Sequence, residues 1–170
     1  MTLYVYVLKT CPHTHFPDAP FPLQCQTILV IENNMNCELC LATEESILWQ
    51  GQNCRVILVN DSDYPGFCRI IWNEHIKEMT DLSIQMRTEF MNTVFTVENA
   101  VRTVMQPDKI NLASLGNMTP HLHWHVIPRF KDDKHFPNPI WGVALRKIRV
   151  TKIDKIHDRL RTAILKNMTT

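Results

Sequence analysis

An α+β fold is predicted for this chain by three observations: short β-branched and apolar runs separated by turn signals, one long stretch with apolar residues at helical spacing, and two further alternating runs after it. Strands, a long helix and strands again is the order of one antiparallel sheet with a helix laid on one face. The 170 residues are 45% apolar, enough for one core with little left for a second domain. Basic and acidic side chains number 18 and 17, a near-balance that argues against a disordered chain and against a general coat for nucleic acid. Apolar runs such as 28–31 and 56–59 are short, whereas a membrane-spanning helix needs about 20 apolar residues. With 4 Gly and 10 Pro, a low-complexity chain is also excluded.

Residues 1–34 hold Pro12, Pro17, Pro20 and Pro22 and show no clear period, although 26–31 reads as an edge strand. Met35 then opens a compact domain, and a mis-assigned start with Met35 as first residue is one reading of the extension. Within residues 35–142, the runs 48–50, 54–59 and 69–72 are strands, parted by Gly51-Gln52-Asn53 and by 60–63 leading into Pro65-Gly66. Met86, Phe90, Val94, Val97, Val101 and Val104 step by four or three, with Ser83 as N-cap and Pro107 as terminator. Such a helix is about 33 Å long, enough to cover a sheet face. Strands 109–115 and 121–127 follow, the second stopped by Pro128.

From Gly142 onward eight basic residues stand against Asp154 and Asp158, a net of +6, so residues 1–141 carry −5 of the chain's +1. Residues 143–170 are therefore a distinct basic tail. Ile153, Ile156, Leu160 and Ile164 give it an amphipathic helix, packed by its apolar stripe or, as the lesser reading, offered to nucleic acid or a partner. The start lacks the basic, apolar and small-residue order of a secretory signal, which places the protein in the cytoplasm with its cysteines reduced or metal-bound. Cys11, Cys25, Cys54 and Cys68 read as small hydrophobes or free thiols. His13, His15, His135 and His157 read as surface residues, and Asp132-Asp133 as a charged loop.

The chemistry lies in His121-Leu122-His123-Trp124-His125-Val126-Ile127, which alternates without a break. On a strand the three imidazoles share one face, about 6.8 Å apart, while Leu122, Trp124 and Val126 enter the core. Crowded basic rings resist full protonation, so a neutral nucleophile can coexist with a protonated donor. Three unpaired buried rings would be costly as mere core residues. Alternating histidines also serve as zinc ligands, and that reading stays open here. Cys37-Glu38-Leu39-Cys40 has the spacing that lets two thiolates meet one zinc, with redox and incidental readings competing.

The seven-residue pattern resembles the signature of the histidine triad (HIT) superfamily of nucleotide hydrolases and transferases, in a bacterial branch with shortened loops. The likeness extends over about residues 37–142 and includes the Cys pair, Val59-Asn60-Asp61, Pro65-Gly66 and His75. It implies a five-stranded antiparallel sheet that pairs with a second copy into ten strands. It implies too that His123 attacks the α-phosphorus of a nucleotide, dinucleotide or nucleoside phosphoramidate and forms a nucleotidyl-histidine. His125 would bind the phosphate and protonate the leaving group, and His121 would hold the site in shape. Asn60 or Asp61 falls where members hold the ribose. Phe67 replaces a frequent His, Met118 a frequent Ser or Thr, and Asn117 or Thr119 is left to supply that polar contact. Trp141 resembles a carboxy-terminal tryptophan near the pocket, although a core or interface Trp is the plainer reading. Some members bind a structural zinc through residues matching Cys37, Cys40, His75 and His121, and no organic cofactor is implied. The alternatives are a zinc hydrolase with all three triad histidines on the metal, or a nucleotide-binding protein without catalysis.

Overall fold

A computed structural model describes residues 6–9, 27–30, 37–147 and 154–168. Cys11, His13, His15, Cys25, Met35 and Ile153 lie outside these residues. The chain divides into two compact units, Met1–Asn36 and Cys37–Thr170. In the first, strands β1 (Tyr6–Lys9) and β2 (Thr27–Val30) pair antiparallel with Tyr6 opposite Val30. The partner strand β1 was not legible in the proline-rich extension.

The second unit is built on five strands: β3 (Ser46–Gln50), β4 (Cys54–Leu58), β5 (Cys68–Trp72), β6 (Lys109–Ala113) and β7 (His123–Arg129). They form one antiparallel sheet in the order β3-β4-β5-β7-β6. A short helix α1 (Glu38–Leu41) precedes them, and the long helix α2 (Ile84–Met105) sits between β5 and β6 in sequence. Ser83 caps α2 by accepting a hydrogen bond from the Met86 N–H at 3.2 Å, and Gln106 closes it in the left-handed region ahead of Pro107.

Alternation sorts the sheet into two faces. Val56, Cys68, Ile70, Trp72 and Val126 point to α2, where Phe90, Val94, Val97 and Val101 complete a buried core. Cys54 and Cys68 belong to that core as small hydrophobes. The opposite face carries Arg55, Ile57, Arg69, Ile71, His123 and His125, as the pairings Ile57–Arg69, Arg69–His125 and Ile71–His123 require. At the β4–β5 connection Gly66 has φ +86°, a backbone conformation that demands glycine, and a Cβ there would also push on the flexible end of Met105, 2.8 Å away.

Two strand boundaries differ from expectation. β7 starts at His123 instead of His121, because the β5 ladder ends there and Leu122 bonds the Trp72 N–H and the Ile76 carbonyl. It also runs through Pro128. Beyond Val126 the strand is paired only on its β6 side, an edge-like position that tolerates proline.

The basic tail contains helix α3 (Ile156–Met168), which packs on α2 and β3. Leu160 and Ile164 are fully buried in the main core, while Arg159 and Arg161 donate to the Val104 and Leu48 carbonyls. His157 is half-buried, with Nε2 3.3 Å from the Ile47 carbonyl.

His135 and Asp133 correct the surface readings: both are buried. Arg129 donates to Asp133 through Nε at 2.6 Å and Nη2 at 3.0 Å, to the Asn111 side chain, and to the Asn138 carbonyl. Asp133 in turn accepts from the N–H groups of His135 and Phe136, and His135 bonds the Tyr64 hydroxyl. A two-residue acidic run flanked by lysines gives no sign of such a bond count. Burial opposes ionisation of Asp133, yet the bond from Arg129 and the two backbone N–H groups outweigh it and hold its pKa below the ordinary value. The stabilisation is thus present above about pH 4 and is lost as pH falls through the lowered pKa. Asp133→Asn should cost about 3 kcal/mol at neutral pH by breaking a buried ion pair, a difference that shrinks on acidification. Urea unfolding of both proteins at two pH values checks it.

Candidate functional site

Four side chains predicted as metal ligands converge at one end of the histidine face. Arg55 donates to the Leu39 carbonyl at 2.7 Å and to Glu45, and Leu39 and Cys37 pack on Ile57 and Ile71. These contacts seat α1 on the sheet. The Sγ atoms of Cys37 and Cys40 each lie 3.4 Å from His121 Nδ1, and Cys40 Sγ lies 3.4 Å from His75 Nδ1. All four donor atoms fall within 4.8 Å of one another.

His121 Nε2 sits 2.7 Å from the Trp72 carbonyl, which can only accept, so the proton is on Nε2 and the Nδ1 lone pair faces the thiols. Tetrahedral zinc, with Zn–S about 2.3 Å and Zn–N about 2.0 Å, would place S and N about 3.5 Å apart. The donor set therefore fits a Cys₂His₂ zinc, with the Trp72 carbonyl orienting one ligand from behind. Burial, reinforced by Cys37, pushes the Cys40 thiol up to about 11.

The second half of the site is the histidine pair. His123 and His125 are each 5% exposed, with ring centroids 4.7 Å apart and planes at 76°. His123 Nδ1 lies 2.6 Å from the His121 carbonyl, so Nδ1 carries the proton and the neutral ring keeps its lone pair on Nε2. Ser114 donates to the His123 carbonyl at 2.9 Å, a support that sequence reasoning missed because a lone serine after a strand carries no pattern.

His125 is flanked by Phe67, centroids 5.5 Å apart, and by Trp141 at 5.2 Å. Phe67 is buried with Tyr64 and Ile127, and Trp141 is 52% exposed and edge-on to His125 instead of being a core residue.

All three rings are driven toward neutrality. Burial lowers the pKa of His121 and His123 against their carbonyl bonds. Burial, then the charges of His123 and Arg69, push His125 down to about 3. A protonated donor beside the nucleophile is therefore absent from the free site and needs an arriving anion. Because the unfolded chain binds a proton at about pH 6.5 and the folded His125 does not, stability should fall as pH drops from about 6.5 toward 3. His125→Gln should flatten that loss, and ¹⁵N NMR should show the wild-type His125 ring neutral at pH 5.

Asn60 and Asp61 line a cleft of about 900 Å³ together with Ile57, Glu45 and Arg69, and Asp61 also accepts from the Asp63 N–H at 2.9 Å. Asn117 is exposed, Thr119 half-buried and Met118 95% exposed on the loop before His121. The Thr119 carbonyl accepts from the His121 N–H, but neither the Asn117 nor the Thr119 side chain hydrogen-bonds to His123 or His125. Among the described residues, the metal-like cluster takes His121 and leaves out the other two triad rings, which disfavours a zinc held by all three.

Against known families, the HIT domain matches residues 42–132, just over half of the chain. The chain belongs to the HIT family. Solved structures of HIT proteins share its fold. A histidine triad protein from Bradyrhizobium japonicum is 24% identical, with TM-score 0.60, over 71% of this chain and 88% of that one. One from Sinorhizobium meliloti is 25% identical, with TM-score 0.59, over 72% and 89%. A zinc-bound histidine triad family protein from Mycobacterium smegmatis is 20% identical, with TM-score 0.60, over 81% and 99%. No curated protein matches the sequence. In this HIT domain the α+β class and the five-stranded antiparallel sheet are as the sequence predicts. No helix among the described residues is long and apolar enough to cross a membrane.

Proposed function

We propose that the protein is a nucleotide hydrolase or nucleotidyl transferase that works through a covalent nucleotidyl-histidine at His123. The observation that carries this reading is the bond from His123 Nδ1–H to the His121 carbonyl, which leaves the Nε2 lone pair free beside His125. Nε2 forms a bond to the α-phosphorus as the bond to the leaving group breaks. His125, neutral in the free site, gains a proton as the substrate's negative charge arrives, and passes it to the leaving atom. Water or another hydroxyl acceptor then gives its proton to the again neutral His125 as its oxygen bonds phosphorus and the P–Nε2 bond breaks, which restores the free His123 ring and releases the nucleotidyl group. Asn60 and Asp61, on the cleft, hold the ribose hydroxyls.

Cys37, Cys40, His75 and His121 would hold a structural zinc, whose contribution is to fix the His121 ring and hence its carbonyl under His123. We place the protein in the cytoplasm, where thiols such as the four described, unpaired cysteines persist. We also propose a homodimer joined along β6, an edge strand of the sheet.

Intact-mass spectrometry after rapid mixing with diadenosine polyphosphates and nucleoside phosphoramidates tests the chemistry. The expected result is an increment of one nucleotidyl group on wild type, absent from His123→Ala. Turnover with the adduct on another residue, or undiminished turnover by His123→Ala, would overturn it.

A further inference from the structure

Between the cleft and the two imidazoles stands a side chain that the reading above does not use. Arg69 lies on β5 directly opposite His125, so it leaves the sheet on the histidine face. It is half-buried, its Nε is shielded from solvent, and its guanidinium makes no hydrogen bond or ion pair among the described residues. Glu45 is already taken by Arg55, through bonds of 2.5 and 2.8 Å. Arg129, which is fully buried, is by contrast held by four bonds. Glu45 and Glu38 stand near enough to offset part of its charge, yet neither bonds the guanidinium, and a partly desolvated cation with no hydrogen-bonded partner is a group that an arriving anion would satisfy.

We propose that Arg69 is a phosphate-binding residue, clamping the non-bridging oxygens of the phosphoryl group that joins a nucleoside in the cleft to His123 Nε2. This rests on the nucleotide reading above. Arg69 borders the cleft with Asn60 and Asp61 and adjoins His125, so a ligand that reaches from one to the other passes it. Its planar fork matches phosphate bidentately. The cleft lining also holds the carboxylates of Glu44, Asp61 and Asp154 and one other cation, Lys155, and of the two cations Arg69 is the one that adjoins His125. Since His125 is neutral in the free site, Arg69 supplies the positive charge beside it. The loop and turn side chains near the histidines offer no charge in its place: Met118 points to solvent, Phe67 is apolar, and Asn117 and Thr119 are neutral.

The test compares wild type, R69K and R69Q by calorimetric titration with AMP, inorganic pyrophosphate and adenosine, and by thermal unfolding. R69Q should weaken AMP and pyrophosphate at least about tenfold and leave adenosine within about twofold. R69K should fall between, since lysine keeps the charge without the fork. Without ligand, R69Q should melt at or above the wild-type temperature, and the rise that pyrophosphate gives wild type should vanish. Unchanged AMP affinity in R69Q, equal loss of AMP and adenosine, or a lower melting temperature without ligand would overturn the assignment. Loss of AMP affinity in R69Q with no nucleotidyl adduct on wild type would keep Arg69 and remove the nucleophile. An adduct formed equally by both proteins with equal AMP affinity would do the reverse. Wild-type protein that binds neither AMP nor pyrophosphate removes both.

Discussion

His123→Ala is expected to reduce nucleotide turnover by about 10⁴-fold or more, with KM little changed and the folded structure retained. The ring is lost but its surroundings are not: Ser114 still bonds the residue's carbonyl, and β7 still pairs with both neighbours. His125→Ala should cost less, about 10² to 10⁴, and less still on substrates whose leaving group needs no proton. That dependence on the leaving group separates an acid from a nucleophile, and steady-state kinetics on a substrate pair reads it. Equal losses across leaving groups would contradict the assigned roles.

Cys40→Ser is expected to lose the metal and to lower the melting temperature by about 10–20 °C, the shift for about 5 kcal/mol in a domain of this size. The cluster draws on α1, the segment after β5, and the residue two before β7 starts, three places far apart in sequence. A cation there closes those loops together, and its removal frees all of them. His123→Ala should keep the metal, because His123 bonds a carbonyl and not the thiols. Elemental analysis of purified protein decides between the alternatives. Zinc retained by Cys40→Ser, or lost from His123→Ala, would count against the Cys₂His₂ assignment.

Much of the fold was legible because its periods are strong. The 3.6-residue repeat of α2, with Ser83 before it and Pro107 after it, gave both ends within about two residues. Alternation gave the strands and placed His123 and His125 on one face. The strand is shorter than the alternation suggests, because backbone bonds of Leu122 to Trp72 and Ile76 replace the ladder before His123, while His121 still meets the cysteines as predicted. Likewise, local sequence could not show the burial of Asp133 and His135, whose partners Arg129 and Tyr64 reach them through tertiary packing. Arg69 was hidden for a related reason. Within one short apolar strand a single arginine looks like an outward residue, and only the register of β5 on β7 brings it to the histidines.

The docking of α3 limits how such molecules can assemble. Sheets polymerise when both borders are open, as in fibres. Here β3 has a bulge and its Ile47 and Leu48 carbonyls already serve His157 and Arg161, while α3 lies against it. If copies pair along β6 as proposed, growth would be confined to that border, and α3 would oppose strand addition at β3.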